Sequence, residues 1–145
     1  MNTKLGGKIM KNYCQQYLKS LKHMVDEVEI GLTEKEYHVL DGEDKVNVIH
    51  QIMCEGVEVL KIEARVKNQC EYSNKGFDDC LIVRFLKEGA MTVKYSEEES
   101  YELKAGELFL SYGGSGSKEL LIPKLDKKIK TLMLVLSKDY LENFN

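Results

Sequence analysis

Apolar and polar residues alternate along most of the chain beyond residue 42, and a period of two is typical of strands with one buried face. In the first of these runs Val46, Val48 and Ile52 lie in phase with His50. The runs cover residues 46–52, 60–66, 80–86, 90–95, 100–103, 107–112, 118–122 and 129–136. Glycine-containing turns and one proline separate most of them. Short strands at this spacing predict a closed or double-sheet β architecture.

Upstream of these runs the apolar spacing is different. Over residues 8–28 the apolar positions recur every three or four residues, which predicts an amphipathic helix. Its polar side carries lysines, a pattern that also fits a membrane surface, a nucleic acid or a partner groove. We favour a helix that packs on the barrel through its apolar stripe. Residues 1–45 are therefore predicted to form a helical segment, 46–137 the β-barrel, and 138–145 the start of a helix capped by Ser137.

Composition narrows the class of protein. The chain has 145 residues, a net charge of −3 and 43% hydrophobic residues, which suits one globular domain without a basic field for nucleic acid or anionic lipid. It contains no apolar stretch of about 18 residues and no signal-peptide core, so we expect a cytoplasmic protein that does not contact a membrane. Its four cysteines include no CxxC pair, which gives no support to a zinc site.

One stretch carries a family resemblance. Residues 81–110, LIVRFLKEGAMTVKYSEEESYELKAGELFL, resemble the amino-terminal sensor domain of AraC-type transcription regulators, a cupin-like double-sheet β-barrel or jelly roll. In this pattern Gly89 and Gly106 permit tight reversals between strands. The resemblance implies a domain that binds a small-molecule effector and forms a homodimer. It also implies a separate carboxy-terminal segment with two helix-turn-helix motifs that binds DNA, which the eight residues after Ser137 are too few to supply.

Metal-binding cupins resemble this region but carry histidine ligands on matching strands. Here the three histidines, His23, His38 and His50, all lie upstream and are widely spaced. We therefore expect no metal and no other cofactor. The tract Gly-Gly-Ser-Gly-Ser at 113–117 lacks the Walker lysine step and precedes a short strand closed by Pro123. It is interpreted as a turn at the barrel mouth rather than a phosphate site.

Five inward or strand-end residues are candidates for ligand contact. His50 on an apolar face is either a ligand contact or a hydrogen-bonded core residue. Arg84 shares a face with apolar neighbours, and it either needs an anionic partner inside the barrel or lies at an edge. The tyrosines could offer hydroxyl groups at the mouth or act as amphipathic plugs. The candidates are His50, Arg84, Met91, Tyr95 and Tyr112.

Three hypotheses follow. The first is a non-catalytic ligand-sensing and dimerisation domain of an AraC-type regulator, in which the bound molecule shifts the equilibrium between two arrangements. The alternative is a stand-alone cupin enzyme, such as an isomerase or oxygenase, that acts on a sugar or small acid through His50 and Arg84. The third is a peripheral interaction module that uses the basic helix.

Overall fold

The computed structural model describes residues 2–5, 8–11, 24–29, 34–41, 44–67, 72–73, 77, 79–112 and 119–143, with side chains from residue 45 onward except 72 and 73. These residues form mainly strands. In chain order the elements are β1 (Asn2–Leu5), β2 (Lys8–Lys11), β3 (Met24–Glu29), β4 (Glu34–Asp41), β5 (Asp44–Cys54), β6 (Val57–Arg65), β7 (Tyr72–Ser73), β8 (Cys80–Glu88), β9 (Ala90–Lys94), β10 (Ser100–Lys104), β11 (Leu108–Tyr112), β12 (Leu120–Pro123), β13 (Lys128–Ser137) and the helix α1 (Lys138–Glu142).

The strands are arranged in two larger sheets and one hairpin. A seven-stranded sheet has the order β11-β8-β13-β6-β5-β4-β3, a four-stranded sheet has the order β10-β9-β12-β7, and β1 pairs with β2. All of these pairings are antiparallel. Every run predicted beyond residue 45 contains a strand, so the mainly β, double-sheet fold predicted from the sequence is confirmed.

The inner face of the seven-stranded sheet forms the core with the four-stranded sheet. One apolar cluster gathers Ile82, Met133 and Leu60 with neighbouring residues of the larger sheet. A second cluster combines Leu86 of the larger sheet with Val93 of the smaller one. Burial alternates strictly along β8 and β13, as the period of two requires. The two sheets therefore enclose one interior lined by alternate residues of each strand.

The amino-terminal prediction needs correction. The sequence pattern predicts a helix over residues 8–28, but Lys8–Lys11 and Met24–Glu29 are strands, so the prediction is wrong at both ends of that range. Residues 12–23 lie outside the described residues. The strand β3 pairs with β4, and β4 pairs with β5, which adds backbone hydrogen bonds that a helical spacing of apolar residues does not reveal. The large sheet thus begins before residue 46.

The carboxy-terminal helix starts where the sequence predicts. Ser137 is the N-cap of α1, and its Oγ accepts a hydrogen bond from the backbone N–H of Tyr140 at 3.1 Å. The cap rests on the turn between β5 and β6, because the backbone N–H of Ser137 donates to the carbonyl of Gly56 at 2.9 Å. A Cβ at Gly56 would lie 2.5 Å from Ser137 Oγ and 2.8 Å from Tyr140 Cβ. The contact therefore depends on a residue without a side chain.

Along β11, β8, β13 and β6 the outer face of the seven-stranded sheet has a charged end and an apolar end, and exposed Lys61 of β6 lies beside Leu132 where they meet. At the charged end Lys130 Nζ lies 3.8 Å from Glu63 Oε1 and 3.9 Å from Glu88 Oε2. At the apolar end, three outward residues on each of β11, β8 and β13 and two on β6 are uncharged. This outer apolar face consists of Leu108, Leu110, Tyr112, Leu81, Val83, Phe85, Leu132, Leu134, Leu136, Val57 and Val59.

Candidate functional site

Three ionisable or permanently charged side chains are buried on the inner face of the seven-stranded sheet. His50 on β5 and Arg84 on β8 are each 2% exposed, and Glu58 on β6 is 0% exposed. The alternation of each strand directs them inward, since Val48 and Ile52 flank His50 and Ile82 and Leu86 flank Arg84 on the same face. Burial of such groups is costly unless they are hydrogen-bonded or paired, so this inner polar group is the strongest candidate site in the described residues.

His50 and Glu58 form a direct contact across the β5–β6 hairpin. The distance between His50 Nε2 and Glu58 Oε1 is 2.6 Å. In the register of the hairpin, His50 lies opposite Leu60 and Glu58 lies opposite Ile52, so the two side chains meet diagonally on one face. The pair therefore fixes the orientation of the imidazole and leaves Nδ1 as the other polar ring atom.

Arg84 lies farther along the same inward row. Its guanidinium Nη1 donates to the thioether sulfur of Met133 at 3.2 Å. The registers align Arg84 with Met133, Met133 with Leu60, and Leu60 with His50, so Arg84 and His50 occupy one row three strands apart. At the usual strand spacing their backbones are about 14 Å apart, and Glu58 lies in the adjacent row between them. Between them the row is occupied by Met133 and Leu60, both fully buried.

The position of Arg84 also separates the two apolar clusters. Its neighbours along β8 on the inner face are Ile82, which belongs to one cluster, and Leu86, which belongs to the other. Phe109 lies opposite Arg84 on β11 and is part of the second cluster. A guanidinium cannot lose its charge near neutral pH. The interior therefore carries a permanent positive charge at the boundary between two apolar regions.

The other predicted contacts do not join this group. Met91 is buried, but it packs in the second apolar cluster with Val93 and Leu103. Tyr95 follows the end of β9 and is exposed, with its ring centroid 6.3 Å from that of Phe109. Partial burial raises the pKa of Tyr95, and the nearby charges of the carboxylates at positions 119 and 99 raise it further. Neither residue lies in the row of His50 and Arg84.

Tyr112, predicted as a strand-end contact at the barrel mouth, also lies apart from the inner polar group. It is 48% exposed and lies on the outer face. On β11 the buried positions are Phe109 and Ser111, so Leu108, Leu110 and Tyr112 point away from the interior. Apolar residues occupy the outward positions of this strand, which reverses the usual assignment of faces. The tract at 113–117 that follows lies outside the described residues.

Glu58 is the functional candidate that the sequence analysis missed. It lies two residues before Leu60, in phase with the apolar face of β6, so the alternation alone places it inward. An acid in that phase is a signal for a buried partner, because an unpaired buried carboxylate is strongly disfavoured. The signal was available, but its partner His50 lies on the preceding strand and is identified only by the hairpin register.

The glycine-containing turns belong to the scaffold. Gly89 and Gly106 have positive φ values of 94° and 91°, as tight reversals require. After Gly106, the carboxylate of Glu107 accepts hydrogen bonds from the Lys104 backbone N–H at 2.6 Å and the Tyr101 hydroxyl at 2.9 Å. The backbone bond is the main cause that lowers the pKa of Glu107, and the same carboxylate raises the pKa of Tyr101. This network closes the β10–β11 turn on the surface.

A histidine-rich metal centre does not fit the described residues. Within the part of the chain that the structure describes, no group of three or more His, Cys, Asp or Glu side chains is close enough to hold a metal ion. The inner polar group combines one imidazole with one carboxylate and a guanidinium, and a guanidinium is not a metal ligand. Its donors and acceptors are instead suited to hydroxyl and carboxylate groups of an organic molecule.

Comparisons with known proteins agree on the fold. No protein-family model and no curated protein matches the chain. Its structure is similar to that of the plu4264 protein from Photorhabdus luminescens, with 11% identity, coverage of 74% of this chain and 86% of that chain, and a TM-score of 0.51. A protein of unknown function from Vibrio parahaemolyticus, VPA0057, has 16% identity, coverage of 70% and 97%, and a TM-score of 0.51.

A cupin superfamily protein from Desulfitobacterium hafniense is also similar, with 11% identity, coverage of 81% of this chain and 98% of that chain, and a TM-score of 0.49. At such identities a likeness describes the fold alone. The mainly β arrangement of antiparallel strands in two larger sheets, predicted from the sequence, is present in this chain. Among the described residues, no helix is both long and apolar enough to span a bilayer.

Proposed function

We propose that this domain binds a small organic molecule between its two sheets, with the inner polar group as the recognition site. The observation that supports the proposal is the burial of His50, Glu58 and Arg84 on one face of a β-sheet interior. Replacement of such groups by apolar residues is often neutral or stabilising, so their presence costs stability that a purely structural core does not require. Ligand recognition explains why a folded domain keeps them.

The biological role that we infer is sensing. In AraC-type regulators, which the sequence at 81–110 resembles, a barrel of this kind controls a separate DNA-binding segment. A molecule that prefers one arrangement of the interior shifts the population of that arrangement by its difference in affinity. We propose that ligand binding at the His50–Glu58 hairpin and at Arg84 on β8 changes the position of this hairpin relative to β8, and that a DNA-binding segment reads this change.

Ligand binding is tested with the whole chain and two kinds of variant. Pentoses, hexoses and small mono- and dicarboxylic acids are screened by isothermal titration calorimetry. Arg84→Met keeps an apolar, similarly long side chain, and Lys61→Gln on the exposed side of β6 is the control. Because a charged hydrogen bond contributes about 1.5–3 kcal/mol, the expected loss for Arg84→Met is about tenfold or more, with no change for Lys61→Gln.

Two outcomes would contradict the proposal. A molecule that binds Arg84→Met and His50→Gln as tightly as the unaltered chain binds at another site. Circular dichroism and a cooperative thermal transition must first show that each variant is folded.

The sensing role has its own test, because sequencing of the gene beyond codon 145 reveals whether a helix-turn-helix coding region follows. A stop codon there would contradict the proposed regulatory role and would leave the proposal of ligand binding unaffected.

A catalytic role is the second candidate, and the 2.6 Å contact between His50 and Glu58 favours it. A carboxylate that orients an imidazole is the arrangement used by many general bases. Under this alternative the domain is a stand-alone cupin enzyme, for example an isomerase or oxygenase, that acts on a sugar or small acid. Metal analysis of the purified protein separates the two, because a stoichiometric transition metal would favour the enzyme.

A further inference from the structure

Two exposed tyrosines lie at the end of the interior where β9 stops. Tyr95 directly follows β9 and is 39% exposed, and Tyr101 on β10 is 42% exposed. Both share the inward phase of Val93, which is fully buried, since Tyr101 lies opposite Val93 and Tyr95 follows it by two residues. The two side chains therefore belong to the inner side of the smaller sheet, at an end that is open to solvent.

A third ring meets them from the larger sheet. The ring centroid of Phe109 on β11 lies 6.3 Å from that of Tyr95, and the two ring planes are inclined by 52°. Tyr101 is tied to the beginning of the same strand, because its hydroxyl donates to Glu107 Oε2 at 2.9 Å. We call Tyr95, Tyr101 and Phe109 the rim aromatic group. Contacts with both sheets hold these rings in place, and such preorganisation favours binding.

Carboxylates flank Tyr95 on both sides. The Tyr95 backbone N–H donates to the carbonyl of Glu99 at 2.9 Å, so Glu99 is its neighbour across the β9–β10 turn. On the other side Leu120 lies opposite Lys94, so Glu119 comes opposite Tyr95 when this register continues by one residue. Partial burial is the main cause that raises the pKa of Tyr95, and the charges of Glu119 and Glu99 raise it further. The tyrosine therefore lies in a field of negative charge.

Cationic side chains nearby are directed away from this group. By the alternation of their strands, Lys94 and Lys104 lie on the outward side, and Lys94 Nζ is 3.4 Å from Glu97 Oε2. Arg84 is buried, and its Nη1 donates to Met133 on β13, on the side of β8 that is remote from β11. Negative charge therefore dominates around the rim aromatic group.

The carboxylates are spread too widely for a metal ion. Within the described part of the chain, no three His, Cys, Asp or Glu side chains are close enough to share one. Ring faces and dispersed carboxylates instead match a larger cation whose charge is spread over alkyl groups. Aromatic cages recognise quaternary ammonium groups in this way, through the negative faces of the rings.

We propose that the rim aromatic group binds an alkylated ammonium ion, with Glu99 and Glu119 as the surrounding negative charge. An alkylammonium presents an apolar surface to the rings and a positive charge to the carboxylates, whereas a neutral ligand uses only the first and an anion is repelled. The proposal concerns a site separate from the inner polar group, so its outcome is independent of the molecule bound there.

The test titrates the whole chain with choline and follows the backbone amide signals by two-dimensional NMR at constant ionic strength. The control ligand is the neutral analogue of choline in which a carbon atom replaces the quaternary nitrogen. Because a single shallow contact of this kind supports binding in the millimolar range, the titration extends to about 100 mM. Choline should produce saturable shifts at the amides of Tyr95 and Tyr101, and the neutral analogue should bind at least about fivefold more weakly.

Two substitutions separate the contribution of the rings from that of the charge. Tyr95→Leu keeps an apolar side chain but removes the ring, and it should weaken choline binding at least about fivefold. Glu119→Gln keeps the shape but removes the charge, and it should weaken binding about two- to threefold, an effect that added salt diminishes. The matched controls, which should not change the affinity, are Tyr112→Leu on the outer face and Glu102→Gln on the outward side of β10. A well-dispersed amide spectrum shows that each variant is folded.

Three results would overturn the proposal. Equal affinity for choline and its neutral analogue would show that the surface recognises apolar shape rather than positive charge. Choline binding that survives both Tyr95→Leu and Glu119→Gln would lie at another site. Absence of saturable shifts at Tyr95 and Tyr101 would reduce the rim aromatic group to packing between the sheets.

Discussion

Each face of the seven-stranded sheet departs locally from the pattern of most antiparallel sheets. One face usually packs on the core with apolar residues and the other meets water with polar ones. Here the inner face buries Arg84 and the His50–Glu58 pair, while the outer face presents Leu108 and Leu110 to solvent. The inner residues cost stability and the outer residues cost solubility. Both departures are local, which indicates two surfaces with roles beyond folding.

The largest difference in the free energy of unfolding is expected between substitution of an inner apolar residue and substitution of an outer one. Ile82 is fully buried in the first apolar cluster, so Ile82→Ala should lower the free energy of unfolding by about 2–5 kcal/mol. Leu110→Ala on the outer face should change it by less than about 0.5 kcal/mol. Urea denaturation monitored by circular dichroism measures both. Equal losses would mean that the outer face is covered within a single copy of the chain.

A second comparison uses polar residues on opposite faces. Glu58→Ala leaves the imidazole of His50 buried without its 2.6 Å partner and should destabilise the fold by about 1–3 kcal/mol. Glu63→Ala on the same strand removes an exposed ion pair with Lys130 and should cost at most about 1 kcal/mol. The same denaturation experiment compares them. If Glu58→Ala proves neutral, the buried pair does not stabilise the fold, and the cost of burying His50 without its partner is smaller than we infer.

The smallest effect is expected at the surface network of the β10–β11 turn. Hydrogen bonds lower the pKa of Glu107, so its ionised form stabilises the folded state above the unfolded pKa. This contribution is lost as the pH falls from the unfolded pKa through the lower folded one. Thermal melts between pH 7 and pH 3 should therefore show a slightly weaker pH dependence for Glu107→Gln than for the unaltered chain.

Glu102→Gln is the matched control for this variant, because Glu102 is an exposed glutamate on β10. An equal change in pH dependence for both variants would show that general surface charge, rather than the turn, is responsible. Since Glu107 is exposed to solvent, screening by water keeps the expected difference small.

Local alternation was sufficient to predict the strands and to place His50 on an apolar face, whereas for Arg84 it left an inward position and an edge position open. This follows because the two-residue period is a property of each strand alone. The pairing of His50 with Glu58 depends on the hairpin register, which a pattern of single positions does not contain. The start of α1 was also predictable, since Ser137 is a local N-cap signal. Interactions between neighbours along the chain could therefore be predicted from the sequence, and interactions across strands could not.

The errors have the same origin. Residues 24–28 have a spacing that also suits a helix, but pairing with β4 makes them a strand. On β11 the alternation was correct, but it did not reveal that the leucines of this strand lie on the outer face. An outward apolar strand is stabilised by its environment rather than by its own pattern. The position of the candidate site was thus partly predictable, whereas the outer face required the structure.

Because Gly56 has no side chain, the β5–β6 turn can lie close against the start of α1. Because the β5–β6 turn touches Ser137 and Tyr140 directly, α1 leaves the sheet at an angle set by backbone contact. A Cβ at position 56 would overlap Ser137 Oγ and Tyr140 Cβ, so a larger residue there would force the turn or the start of the helix to shift. The hairpin that bears His50 and Glu58 is therefore in direct contact with the start of α1.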